Sequence, residues 1–283
     1  MKALVLSGGG SKGAYQVGVL KKLLVDDKNE YDIISGISVG ALNGAILAQF
    51  SKNSNSWDTL KQTWDQVTTK KIRKNWCPFG IFESLWKSSV YNSKPLIKWI
   101  ENSLSVEDIK TSGKILRIVA VSWDTGEAFV ATEKNDDLKL WVAASSAFPV
   151  MLSPILINGN LWVDGGLRSI TPLGEAIKAG ATDIDVVLTA DPDLKSPFDS
   201  NGKAAIPSLM VRGLDILTNQ IMRSDLKIAG LKNDLAGLYK KVNIRVFQPN
   251  IDLETIQTSL DFDQKKIQKI IELGYSDACN TLL

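Results

Sequence analysis

The chain alternates short apolar runs with longer stretches in which apolar residues return every three or four positions. Ala3 to Ser7 is apolar almost throughout and is followed by glycines, the pattern of a strand buried on both faces. From Gly13 to Val25 the positions Tyr15, Val19, Leu20, Leu23 and Leu24 recur at helical spacing. A second short run, Ile33-Ile34, leads into Ser35-Gly36, and helical spacing resumes from Val39 to Phe50 through Leu42, Ile46 and Leu47. This strand, helix, strand, helix order predicts a parallel sheet with right-handed crossovers.

Residues 53 to 113 change character, becoming rich in Trp, Lys, Ser and Asn, with helices expected at Trp57 to Val67 and Pro95 to Leu104. They read as a helical insertion or cap. Strands return at Ile115 to Ser122 and Glu127 to Thr132, paired antiparallel across Asp124-Thr125-Gly126. A helix follows at Leu138 to Ser146, and then a hairpin from Pro154 to Val163 turning on Asn158-Gly159. Beyond a helix at Leu173 to Ala179, capped by Gly180, Asp183 to Thr189 is another buried strand. Helical periodicity runs from Ile206 to Tyr239, a strand from Val242 to Phe247, and a last helix from Asp263 to about Asn280. With no repeat or linker, the expected architecture is one α/β domain over residues 1–283. It is a three-layer sandwich whose central, mainly parallel sheet lies between helices.

Composition narrows the chemistry. The 283 residues are 44% hydrophobic and 23% charged, an ordinary globular balance. Thirty-three basic side chains against 31 acidic ones leave no global positive field to draw in nucleic acid. There is no histidine, and the two cysteines, Cys77 and Cys279, match neither a disulfide framework nor a metal-ligand spacing. Zinc, haem and blue-copper sites are therefore not expected, nor is any organic cofactor, and both thiols read as ordinary reduced side chains. The opening MKALVLSGGG lacks the roughly 7 to 15 apolar residues of a signal peptide. Nothing approaches the roughly 18 of a transmembrane helix. A cytoplasmic protein, at most peripheral to a membrane, is the expectation.

Candidate chemistry begins at Gly36-Ile37-Ser38-Val39-Gly40, where a strand ends and a helix starts. A serine on such a turn projects its hydroxyl from the carboxyl end of the sheet, and the flanking Gly36 and Gly40 leave room for the bend. A serine that only caps a helix is the bland alternative. If the first two strands are parallel neighbours, the loop Gly8-Gly9-Gly10-Ser11-Lys12-Gly13 lies beside Ser38. With the Val39 N–H, its backbone would form an oxyanion hole. The same loop satisfies G-x-G-x-x-G, a dinucleotide-binding fingerprint with Glu30 or Asp32 as ribose partner. Ser38 favours acyl transfer, since a dinucleotide fold has no need of a serine elbow after its second strand.

Without histidine, the base for Ser38 must be a carboxylate or a lysine. Asp164 is delivered by the apolar stretch Leu161-Trp162-Val163 and followed by Gly165-Gly166, a tight turn in which an aspartate can face a pocket or bond its own backbone. Asp191 and Asp193 are comparable on local grounds. Lys12, in a loop expected to be partly wet, ranks after them and would make a Ser-Lys amidase or peptidase.

Taken in order, Gly8 to Gly13, Gly36 to Gly40 and Asp164-Gly165-Gly166 resemble the three signature motifs of the patatin-like phospholipase family. SSAFPV (Ser145 to Val150) and DFDQKKIQKIIELGYSDA near the C-terminus also resemble family stretches, whereas residues 53 to 113 match least. The resemblance implies a Ser-Asp dyad, with Ser38 as nucleophile and Asp164 as base. Gly8, Gly9, Gly10, Lys12 and Gly13, with the Val39 N–H, would hold the oxyanion. It implies a lipid or phospholipid substrate, cleaved as by a phospholipase A, a lysophospholipase or an esterase, and so transient contact with a membrane surface. Thr68 to Phe82 suggests how: Lys70, Lys71, Arg73 and Lys74 would meet lipid phosphates while Trp76, Phe79, Ile81 and Phe82 enter the interface. A basic loop followed by core residues is the alternative. Trp57, Trp64, Trp86, Trp99, Trp123, Trp141 and Trp162 read as core or pocket wall. With a free aspartate near pKa 3.9, activity is expected to be flat across the range where histidine titrates.

Overall fold

The computed structural model describes residues 1–51, 55–75, 88–190, 206–234, 241–251, 253 and 260–281. Strand β1 (Lys2–Leu6) is followed by α1 (Gly13–Leu20), whose last turns widen into a π-type stretch over Lys21–Asp26. Then come β2 (Ile33–Gly36) and α2 (Val39–Ala48). The region expected as a helical cap supplies α3 (Ser56–Gln66), α4 (Thr69–Ile72), α5 (Lys94–Ser103) and α6 (Val106–Thr111). Strands β3 (Ile115–Ser122) and β4 (Ala128–Thr132) pair antiparallel as expected, and α7 (Leu138–Ser145) follows. The hairpin of β5 (Ile155–Ile157) and β6 (Asn160–Asp164) turns on Asn158 and Gly159, both with positive φ. The remaining elements are α8 (Leu173–Lys178), β7 (Asp183–Val187), α9 (Ile206–Asp234), β8 (Asn243–Phe247) and α10 (Gln264–Asn280).

The eight strands form one mixed sheet in the order β5-β6-β3-β2-β1-β7-β8, with β4 on the other edge of β3. From β3 to β8 the strands run parallel, while β4 and β6 are antiparallel to β3. Successive side chains of β1 point to opposite faces. Leu4 and Leu6 join the cluster under α1, α2, α7 and α10, whereas Ala3 and Val5 pack with Leu173 and Ala176 of α8 and Met222 of α9. Leu60, Trp64, Ile72, Leu96 and Trp99 from the expected cap region belong to the first cluster. Trp123 departs from expectation. It is the first residue past β3, in the turn to β4, and is 53% exposed.

One feature of the pairing brings distant residues together. Strand β4 takes one edge of β3, pairing Arg117 through Val121, so β2 and β6 must share the other edge. Strand β2 occupies it up to Gly36 opposite Ile118, and β6, arriving from the opposite direction, occupies it from Asp164 opposite Ala120. The carboxyl ends of β2 and β6 therefore meet head to head, about 7 Å apart at roughly 3.3 Å per residue.

Candidate active site

Ser38 is the N-cap of α2 and is held at φ 56 and ψ −125, a conformation non-glycine residues rarely adopt. Such strain costs on the order of 1–3 kcal/mol and survives only where the surroundings enforce it. Backbone crowding around it contributes: a Cβ on Gly36 would fall 2.2 Å from the Gly40 carbonyl oxygen, and one on Gly40 would fall 2.3 Å from the Leu6 carbonyl oxygen. The bend is thus pressed against the end of β1, and its hydroxyl faces out past the sheet.

Asp164 stands at the end of β6 and is 2% exposed. Its Oδ1 accepts the Gly166 N–H at 2.8 Å, and the Ser38 hydroxyl lies close enough to act on the carboxyl electrostatically. The sequence left open whether this aspartate faces a pocket or bonds its own backbone, and it does both. Burial pushes its carboxyl up to about 7, against the opposing pull of the Gly166 and Ser38 donors. This corrects the expectation of a flat pH profile, because the carboxyl now titrates where histidine would.

The glycine loop packs beside Ser38 because β1 and β2 are parallel neighbours. A Cβ on Gly8 would lie 3.3 Å from the Ser38 Cβ, and one on Gly9 would lie 2.1 Å from Thr189 Oγ1. Thr189 Oγ1 in turn donates to the Gly8 carbonyl. The expected set of oxyanion donors narrows, since the Gly8 N–H is spent on the Ile170 carbonyl, the Lys12 N–H on Gly9 and the Gly13 N–H on Gly10 and Ser11. Among the described residues the Gly9, Gly10 and Val39 N–H groups have no acceptor. Helix α9 supports this arrangement from the other layer. Its Asp225 accepts the Ile170 and Thr171 N–H groups at 2.9 Å each, steadying the carbonyl that holds Gly8.

These groups line a cleft whose walls are largely apolar, among them Leu42, Trp64, Leu96, Trp99, Met151, Ile170 and Met222. Lys12 also lines it but is buried, not partly wet as expected, because its 3-10 turn is packed under the cleft floor. Asp191 and Asp193 lie outside the described residues, as do Trp76, Cys77, Phe79, Ile81, Phe82 and Trp86. Lys70, Lys71 and Lys74 are exposed around Ile72, which lines the cleft, while Arg73 is half-buried and donates to the Leu260 carbonyl at 3.0 Å. Cys279 is an exposed free thiol.

The ribose-partner reading fails on position. The Asp32 N–H donates to the Lys2 carbonyl and the Asp32 carbonyl accepts the Ile115 N–H, so Asp32, with Glu30 just before it, sits at the amino ends of β1, β2 and β3. The glycine loop is at the carboxyl ends, a strand length away. Sequence reasoning assigned no role to Thr189, Ile170 or Ser145. The only signal for the last was the SSAFPV stretch, and its contact with Ser38 spans 107 positions.

The family profile described as "Patatin-like phospholipase" matches residues 4–177. A patatin-like phospholipase domain-containing protein of Pyricularia oryzae is 28% identical over 256 residues, covering 79% of this chain and 32% of that protein. One from Caenorhabditis elegans is 24% identical over 99% of this chain and 20% of its own length. The protein named "Probable lipid hydrolase 463L" of Invertebrate iridescent virus 6 is 25% identical over 86% of this chain and 90% of its own. The chain thus spans a third or less of the first two and most of the third. The solved structure of VipD from Legionella pneumophila is similar over 99% of this chain and 66% of that one, at 15% identity and a TM-score of 0.46.

Proposed function

Because the chain belongs to the patatin-like phospholipase family, we propose that it cleaves fatty-acyl esters of lipids, as a phospholipase A, lysophospholipase or lipid esterase, through Ser38 and Asp164. The observation that carries this reading is that the strained Ser38 and the buried Asp164 carboxylate, which Ser38 influences, line one apolar cleft. Ser38 Oγ attacks the ester carbonyl as its proton passes to Asp164. The oxyanion so formed faces the Gly9 and Gly10 N–H groups of the glycine loop and the Val39 N–H at the N-terminus of α2, whose dipole favours negative charge. Collapse expels the alcohol, which takes the proton from Asp164, and leaves an acyl group on Ser38. Water then gives a proton to Asp164 and attacks the acyl carbonyl, and collapse releases the fatty acid as Ser38 Oγ takes the proton back from Asp164. No metal or organic cofactor enters these steps.

A pKa near 7 makes Asp164 a stronger base than a free aspartate and narrows its gap to the serine hydroxyl. The apolar walls suit an acyl chain. Exposed Lys70, Lys71 and Lys74, flanking the cleft residue Ile72 in the chain, suit transient contact with an anionic lipid surface. No described helix is long and apolar enough to cross a membrane.

The test is hydrolysis of a chromogenic fatty-acyl ester by the wild type, Ser38→Ala, Asp164→Ala and Lys12→Met. Loss of about 10²–10⁴-fold or more in the first two variants, with partial retention in the third, is expected. Turnover retained by Asp164→Ala and lost in Lys12→Met would instead move the role of base to Lys12.

A further inference from the structure

The Ser145-Ser146 pair takes no part in the steps above, yet it contacts the backbone of the residue at their centre. Ser145 Oγ accepts the Ser38 N–H at 3.0 Å and donates to the Val119 carbonyl at 2.6 Å. A serine hydroxyl has one proton, and giving it to Val119 fixes which lone pair faces Ser38. Ser145 is 0% exposed, so bulk water does not compete for either bond. Ser146 Oγ lies 3.2 Å from the Ser38 carbonyl but also 2.9 Å from that of Val142, and its single proton serves one of them at a time. The Ser38 carbonyl is already met by the Ala41 and Leu42 N–H groups at 3.0 and 3.2 Å. Ser145 is therefore the committed partner and Ser146 the auxiliary one.

The position of Val119 gives this bond its consequence. It lies between Ile118, the last partner of β2, and Ala120, the partner of Asp164. The link Ser38, Ser145, Val119 thus ties the backbone of one reacting residue to the strand that sets the register of the other. The geometry points to Ser145 as a positioning residue that fixes the distance between the Ser38 hydroxyl and the Asp164 carboxylate, an inference that rests on the reading of these two as nucleophile and base. Without it, a residue held at φ 56 loses the acceptor of its N–H and drifts toward a relaxed conformation, carrying its Oγ away from Asp164 and the Val39 N–H. A displacement of about 1 Å in such a pair lowers turnover by about 100-fold. Moving the Ser38 hydroxyl away also removes one of the two influences that hold the Asp164 carboxyl down, so its pH midpoint moves up.

The experiment compares Ser145→Ala, Ser146→Ala and Ser38→Ala with the wild type on a soluble fatty-acyl ester across pH 5 to 9, alongside thermal melts and the rate of phosphonylation by a fluorophosphonate probe. For folded Ser145→Ala we expect kcat lower by about 10- to 100-fold, KM within twofold, parallel slowing of phosphonylation and an upward shift of the pH midpoint. Ser146→Ala should stay within about threefold. If Ser145→Ala does not fold, Ser145→Cys, nearly isosteric but a weak acceptor, carries the same expectation. A folded Ser145 variant with kcat and midpoint unchanged overturns the proposal. Turnover retained by Ser38→Ala is a different failure, since it removes the nucleophile and with it the catalytic reading.

Discussion

Burial of Asp164 suits it to the proposed role of base and also costs the folded chain stability. Its carboxyl is near 3.9 in the unfolded chain and about 7 in the folded one, so the folded state is favoured by protonation. Below about pH 4 both states are protonated and nothing is lost. As pH rises toward 7 the unfolded chain ionises first, and the loss grows to on the order of 4 kcal/mol above pH 7. Asp164→Asn can still accept from Gly166 and does not ionise. It should therefore raise the melting temperature at pH 8, with the gain shrinking to nearly nothing at pH 4, as thermal melts at the two pH values will show. An equal gain at both would mean that ionisation of Asp164 is not the cause. Ser38 and Asp164 were legible in the sequence because each sits in a short motif whose glycines signal a tight turn. Ser145 and Thr189 were not, because the contacts that matter come from segments more than a hundred residues away.

At the scale of elements, hydrophobic period placed the long helices and nearly all the strands, since a face that must be buried writes its spacing into the chain. The four-residue α4 and six-residue α6 are too short to show a period, and the π-type turns after α1 keep its apolar spacing almost unchanged. Least legible was the shared edge of β3. Apolar alternation marks β6 as a strand but not which edge it takes or in which direction, and that choice brings Asp164 to Ser38. Helices α1 and α10 cross so closely that a Cβ on Gly18 would lie 2.0 Å from the Ile271 carbonyl oxygen, and one on Gly274 would lie 2.2 Å from that of Tyr15. Backbone cannot yield as a side chain would. Gly18→Ala should cost on the order of 1–3 kcal/mol in urea denaturation, more than the helix-propensity gain returns. A neutral result would show that the two helices can part without loss.

Across the whole molecule, the cleft opens where the carboxyl ends of the strands meet the helices of both layers, and the proposed lipid contact draws on the charges exposed near Ile72. Total charge, balanced to within two units, gave no hint of this, whereas Lys70, Lys71 and Lys74 are exposed on either side of Ile72, a residue of the cleft wall. Each lysine near an anionic surface contributes about 1 kcal/mol. Reversing all three to glutamate should weaken binding to anionic vesicles at least tenfold in flotation assays and leave hydrolysis of a soluble ester unchanged. Equal binding would place the lipid contact elsewhere. The claim on which the rest depends is that Asp164 is the base for Ser38, and the most direct measurement is kcat/KM for a soluble fatty-acyl ester against pH, for the wild type and Asp164→Asn together. The account predicts a wild-type profile rising with a midpoint of about 7 and an asparagine variant slower by about 10²–10⁴-fold with that rise gone. An asparagine variant within a few-fold of the wild type, still rising through pH 7, would contradict it.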